Sequence, residues 1–297
     1  MAKDIRTFQD LIDVCALEQK TIYEIFQERE ANLQEISVEE VRLRVKKSLD
    51  AMKEAIKKGL NSKEKSISGQ CGEDCVTLKE SFKNRSAIFG KSFEKITTYA
   101  LATSEENLRM GKIVACPTAG SCGIVPSVLV GISEEYDFDE DTQINALITA
   151  GAIATIVSYK VALAGAVAGC QAECGVACAM SAGFLTQMFG GTINQIINAV
   201  ALALKNIMGL TCDPVAGLVE IPCVKRNPFL GIHAVTAYEL AISGIESKIP
   251  VDEVVDAMLQ TGELMSPMLK ESSKAGLAKT KTAKKIKYEL MNKYKVM

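Results

Sequence analysis

Thr192-Ile193-Asn194-Gln195-Ile196-Ile197-Asn198-Ala199-Val200-Ala201-Leu202-Ala203-Leu204-Lys205-Asn206-Ile207-Met208-Gly209 is the stretch that decides the fold class. Ile193, Ile196, Ile197, Val200, Leu204, Ile207 and Met208 recur at helical intervals and form one broad apolar face. Thr192 is a suitable N-cap, and Gly209 stands where a helix leaves through a left-handed residue. Working outward, helices are predicted over 141–158, 173–188, 231–244 and 251–262. Nearer the start, Ser37-Val38-Glu39-Glu40 reads as a capping box, followed at helical spacing by Val38, Val41, Val45, Met52 and Ile56, with Gly59 as terminator. Regular β alternation is absent. The expectation is a mainly α protein: an N-terminal helical segment and linker over residues 1–75, then a compact helical domain over 76–297. The Lys-rich tail from Lys270 reads as a solvated helix or a frayed end.

A chain of 297 residues supports a sizeable core without covalent staples. Net charge is −2, aromatics are 5% and Trp is absent, which gives neither electrostatic attraction to nucleic acid nor platforms for stacking bases. Ten cysteines in so long a chain do not suggest a disulfide scaffold. The terminus Met1-Ala2-Lys3-Asp4-Ile5-Arg6 is charged and is not followed by the apolar run of a signal peptide. Reduced thiols in a cytoplasmic protein are expected. The segment from Ile144 to Gly169 is apolar, but Lys160 interrupts it and Ala and Gly dominate, which reads as a close-packed buried helix and not a membrane span.

Four short runs carry the chemistry: Pro117-Thr118-Ala119-Gly120-Ser121, Gly169-Cys170-Gln171-Ala172-Glu173, Cys212-Asp213-Pro214-Val215-Ala216-Gly217 and Ile221-Pro222-Cys223. They set three cysteines beside turn-forming residues, which suits a thiolate-held cluster with one coordination position left for substrate. Their spacing is not that of a ferredoxin, and buried free cysteine is commonly just a small hydrophobe, so the residues alone leave both readings open. Cys212 is expected on a loop directly after the Thr192 helix, and Cys223 in an irregular stretch bounded by Pro228. Lys225 and Arg226 would offset anionic charge there. Cys174 and Cys178, four apart on a predicted helix, read as core. Cys15, Cys116 and Cys122 have no partner at ligand spacing. Cys71 and Cys75 form a lone Cys-x-x-x-Cys pair at the edge of Asn61 to Asp74, a Ser-, Gly-, Lys- and Glu-rich segment that reads as an exposed linker. His233, the single histidine, sits between apolar neighbours and reads as structural.

These runs resemble the α chain of the two-chain, iron–sulfur-dependent L-serine dehydratases (L-serine ammonia-lyases), from about the Cys71 region to the Gly276 region. The resemblance implies a [4Fe–4S] cluster on Cys170, Cys212 and Cys223 within the helical catalytic domain, its fourth iron free of cysteine. It implies α,β-elimination of water from L-serine, ending in pyruvate and ammonia. No pyridoxal phosphate is expected, since no Ser-x-Lys-x-Arg-Gly-type segment is present. The loop 115–123, preceded by Glu105 and Asn107, also resembles a family segment, and the hydroxyls of Thr118 and Ser121 are expected to hold substrate. Glu173, Asp213 and Asn227 are polar neighbours of the cluster by sequence adjacency. The base is unassigned, with Thr118, Ser121, Glu173 and Asn107 as candidates for the catalytic groups.

The chain departs from the family pattern in two places. Residues 160–168, Lys160 apart, are apolar where the family carries small polar groups, which bears on the substrate contacts. The family's Ser-Ser-Ser-His-Thr-type motif is missing, and in two-chain members it lies on a separate β chain. A hetero-oligomer with such a β chain is therefore implied, with L-serine as substrate and no nucleic-acid or membrane partner. The alternatives are an iron–sulfur lyase acting on L-threonine or L-cysteine, or a redox or structural metal-binding subunit.

Overall fold

In the computed structural model, which describes residues 4–294, the helical periodicity is realised from end to end. Met1–Lys3 of the charged terminus lie outside the described residues. The helices are α1 (Phe8–Glu18), α2 (Ile22–Gln34), α3 (Val38–Gly59), α4 (Asp74–Asn84), α5 (Gly90–Leu108), α6 (Ile124–Glu135), α7 (Glu140–Ser158), α8 (Gly165–Ala168), α9 (Cys170–Met188), α10 (Ile193–Lys205), α11 (Cys223–Ile242), α12 (Val251–Leu264) and α13 (Lys281–Tyr294). Among the described residues there is no strand, only one isolated parallel bridge between Cys212 and Lys270. The protein is mainly α.

The centre is α9, and its composition explains why. Ala, Gly, Cys and Ser dominate it, so α6, α7, α10 and α11 all close in around it. Gly175 faces Ile207, and a Cβ there would lie 2.8 Å from that side chain. A helix buried on every side has no polar face to display. By contrast, α10 keeps the amphipathic character read from its sequence. Thr192 accepts from the Gln195 amide, and the Gln195 side chain accepts the Thr192 amide in return. The helix stops at Lys205, and Gly209 turns the chain at φ +84° beyond it. Phe8, Leu11 and Leu49 from the N-terminal helices share one core with Ile153, Phe184 and Leu204.

Several expectations change. Ser37 caps α3, but Glu40 turns away to Arg44, so the box is half formed. Gly59 is the last residue of α3, as expected, but it serves there by close packing and not by a left-handed turn: a Cβ there would run into the Ala102 backbone of α5. The apolar stretch 144–169 breaks at Ser158, before the short α8. No helix among the described residues is long and apolar enough to cross a membrane.

Most of the segment 61–74 is exposed, as its composition suggests, but it is pinned at several points and is not a free linker. Ser66, Ser68 and Cys71 are buried, because the two serine hydroxyls donate to the buried Glu220 carboxylate and Arg109 donates to the carbonyls of Glu64 and Gly72. The tail is also engaged. Residues 269–271 lie along Cys212, Ser273 Oγ donates to the Pro214 carbonyl, and Tyr294 of α13 reaches the Ile67 carbonyl. Its lysines face solvent while its backbone and hydroxyls straddle the Cys212 loop.

Candidate metal centre

Cys170 is the first residue of α9, not a loop residue, and Gly169 admits the turn before it at φ +76°. A helix N-terminus favours a thiolate. Gln171 fixes the next segment in place: its Oε1 accepts the Gly209 amide at 2.9 Å, and its Nε2 donates to the Met258 carbonyl at 3.0 Å. That brings Cys212 alongside, where its amide donates to Leu269 O and its carbonyl accepts from Glu271 N. Cys223 likewise opens a helix, α11, with Pro228 inside that helix instead of bounding a loop. Pro at the sixth position of α11 leaves the first turn intact, so the sulfur stays at the helix start.

Ligand atoms of Cys170, Glu173 and Cys212 all lie within 4.8 Å of one another, and all three residues are buried. Cys223 stands outside that tight group, although its buried thiol interacts electrostatically with Cys170 and Glu173. A Cβ on Gly165 would come 2.9 Å from Cys212 Sγ and 2.7 Å from Glu173 Oε2, so only glycine leaves this corner open.

The charges are arranged around one thiolate. Hydrogen bonds from Cys174 and Cys212 pull the Cys170 thiol far down against the cost of burial, and Arg226 assists. Cys174 and Cys212 are held protonated by that donation. Burial pushes Cys223 up to about 12. Burial also raises the Glu173 carboxyl to about 7, opposed by the Thr118 hydrogen bond and reinforced by Cys170. Arg226 is anchored by the Thr211 carbonyl at 2.8 Å and by Asp213 at 3.2 Å. The donor set, sulfurs plus one carboxylate beside a fixed guanidinium, fits an anionic thiolate-bound iron–sulfur group.

The remaining sequence candidates fall in several places. Thr118 donates its hydroxyl to Glu173 Oε1, at the centre. Ser121 is fully buried and closes its own loop, donating to the Cys116 carbonyl at 2.8 Å. Asn107 braces that loop from behind through the Ala119 carbonyl at 3.4 Å. Glu105 lies away from the sulfurs, accepting the amides of Asp74 and Cys75. Lys225 pairs with Asp74 at 3.0 Å, so of the two adjacent cations only Arg226 serves the centre. His233 Nε2 meets the Ala203 carbonyl at 3.1 Å, a structural contact. Cys178 and Cys174 are both buried in the core, as read, and Cys174 in addition adjoins Cys170 and helps draw its thiol down. Its four-residue spacing from Cys170 puts the two on one helix face. Glu271, which adds negative potential at Glu173, carried no sequence signal.

Comparison with known proteins agrees with this geometry. The family described as "Serine dehydratase alpha chain" matches residues 17–278. The L-serine dehydratase α chain of Peptoniphilus asaccharolyticus is 38% identical over 287 residues, covering 97% of this chain and 98% of the relative. The probable L-serine dehydratase α chain of Bacillus subtilis is 38% identical over 285 residues, covering 96% and 95%. An L-serine dehydratase of Helicobacter pylori is 38% identical over 291 residues, covering 94% of this chain but 62% of the relative.

Proposed function

We propose, from the premise that this chain belongs to the serine dehydratase α-chain family, that it is the α subunit of an iron–sulfur L-serine dehydratase. The reaction is α,β-elimination of water from L-serine, giving pyruvate and ammonia. The observation that carries the reading is the buried group of Cys170, Glu173 and Cys212, with Cys223 beside it, inside the span matched by the family. Cys170, Cys212 and Cys223 would hold a [4Fe–4S] cluster. When bound, such a cluster supplies a Lewis-acidic iron with an open position for the substrate carboxylate and hydroxyl.

The chain's own groups supply the rest. Glu173, buried and raised to about 7, holds or releases a proton close to neutral pH at an oxygen beside the sulfurs. Thr118 orients that carboxyl through its hydroxyl, and Arg226 offsets the negative charge gathered there. Gly165 and Gly120 keep the approach to Glu173 clear of side chains. Glu173 and Thr118 are thus the groups placed for substrate, while Ser121 and Asn107 hold the loop that carries Thr118.

The relatives named as α chains support a second, β chain here, which would carry the Ser-Ser-Ser-His-Thr-type motif. All ten cysteines are free, which supports a reducing, cytoplasmic setting without disulfides. The test is turnover of L-serine by the α chain alone, the β chain alone and the two together, with L-threonine and L-cysteine alongside. Pyruvate formation only by the pair, with L-serine preferred, is the expected result. Full activity of the α chain alone would contradict the two-chain reading, and preference for another amino acid would reassign the substrate.

A further inference from the structure

Asn227 lies one helical turn after Cys223 in α11 and is 1% exposed. Its carboxamide makes three hydrogen bonds, each of 2.9 Å: Oδ1 accepts the Gly123 amide, and Nδ2 donates to the carbonyls of Gly120 and Cys223. One side chain therefore joins both ends of the 120–123 turn to the helix start that presents a cysteine. Gly120 is two residues from Thr118, whose hydroxyl reaches Glu173, and Glu173 lies beside the Cys170 and Cys212 sulfurs. The chain of contacts closes from the Cys223 backbone through Asn227, the loop, Thr118 and Glu173 to the other two sulfurs.

Only a carboxamide meets this pattern. The site offers two carbonyls and one amide, so it needs two donors and one acceptor from a single planar group. A carboxylate of the same shape would turn an oxygen toward two carbonyl oxygens. Gly123 completes the fit, because a Cβ there would stand 3.0 Å from Asn227 Oδ1, 2.7 Å from Ser104 Oγ and 2.5 Å from the Ala100 carbonyl. We propose that Asn227 is a positioning residue for the elimination, holding the Thr118 loop at a set height over the sulfurs. The inference rests on the dehydratase reading above. Its energetic basis is alignment, since a displacement of about 1 Å at a reacting centre costs on the order of 10²-fold in rate.

The test uses Asn227→Asp and Gly123→Ala in the full chain. In the chain without iron, amide exchange over residues 118–123 should quicken about tenfold or more in both variants. Reconstituted with iron, sulfide and the β chain, kcat/KM for L-serine should fall about 10²-fold while iron and sulfide per chain stay at the wild-type level. Unchanged loop exchange, kcat/KM within about threefold of wild type, or an activity loss that tracks iron loss would each overturn the proposal. Should Asn227→Asp fail to fold, Gly123→Ala carries the same readouts. A wild-type complex that binds no iron or ignores L-serine defeats the dehydratase reading instead, and the exchange result in the iron-free chain stands apart from it.

Discussion

Two corners of the molecule look alike on paper and differ in chemistry. One holds Cys170, Cys212 and Cys223 with Glu173, and the other holds Cys71 and Cys75 with Glu105 and Glu220. Both are buried, and both place thiols near carboxylates. In the second corner burial pushes Cys71 up to about 11 and Cys75 up to about 12, and Cys75 donates to the Thr98 carbonyl. Its arginine, Arg109, is spent on Glu105 and on loop carbonyls. In the first corner hydrogen bonds from Cys174 and Cys212, with the charge of Arg226, draw the Cys170 thiol far down against the cost of burial. Cysteine number and burial do not separate the two. A cation and a thiol donor in contact with one sulfur do.

The strongest way to break the comparison is to remove one sulfur from each corner. Cys212→Ser should lose the cluster iron and reduce L-serine turnover at least about 10³-fold, while Cys71→Ser keeps both, as checked by iron and sulfide assay with pyruvate formation. Equal loss in the two variants would erase the distinction. Next in size is Arg226→Met. It removes the cation from Cys170 and leaves buried Asp213 with the Leu277 amide but no charged partner, so chemical unfolding of the iron-free chain should show a loss of about 3 kcal/mol. Iron bound by this variant should also pass to a chelator faster than from wild type.

The second corner has its own sensitive point. Gly59→Ala forces a methyl group against the Ala102 backbone beneath Cys71 and Cys75, and should cost about 1–3 kcal/mol in thermal unfolding while iron content stays unchanged. The smallest effect is one of pH. Burial raises the Glu105 carboxyl, overriding the amides of Cys75 and Asp74 and the charge of Arg109. A carboxyl raised on folding contributes stability below its ordinary pKa, and that contribution is lost as pH rises through the folded value. The stability advantage of wild type over Glu105→Gln should therefore shrink as pH increases from about 4.5 upward. A gap that widens would reverse the sign assigned to burial there.

What the sequence made legible follows physical range. Helix α10 and the mainly α class were readable because amphipathic period and capping are local. Of the three cysteines read together, Cys170 and Cys212 do meet, while Cys223 stands outside their group. The seats of Cys170 and Cys223 were not legible, because Gly169 and Pro222 read as loop markers although each immediately precedes a helix that begins on the cysteine. Residues 61–74 looked like a linker because their composition is polar, yet Ser66 and Ser68 serve Glu220 some 150 positions away. Lys225 and Arg226 are neighbours in sequence but about 100° apart around a helix, so only one faces the sulfurs. The tail does end in the solvated helix its lysines suggest, but ahead of it the amide of Leu277 donates to Asp213 and Ser273 holds Pro214. The contacts that pin residues 61–74 and the start of the tail were hidden because their partners lie far along the chain.

The most direct test is anaerobic purification with iron and acid-labile sulfide analysis and EPR, before and after addition of L-serine. The account predicts a cluster that readily gives up one iron and a spectrum that shifts with L-serine, with Cys212→Ser abolishing both. A colourless zinc protein, or a cluster whose spectrum ignores L-serine, would contradict it.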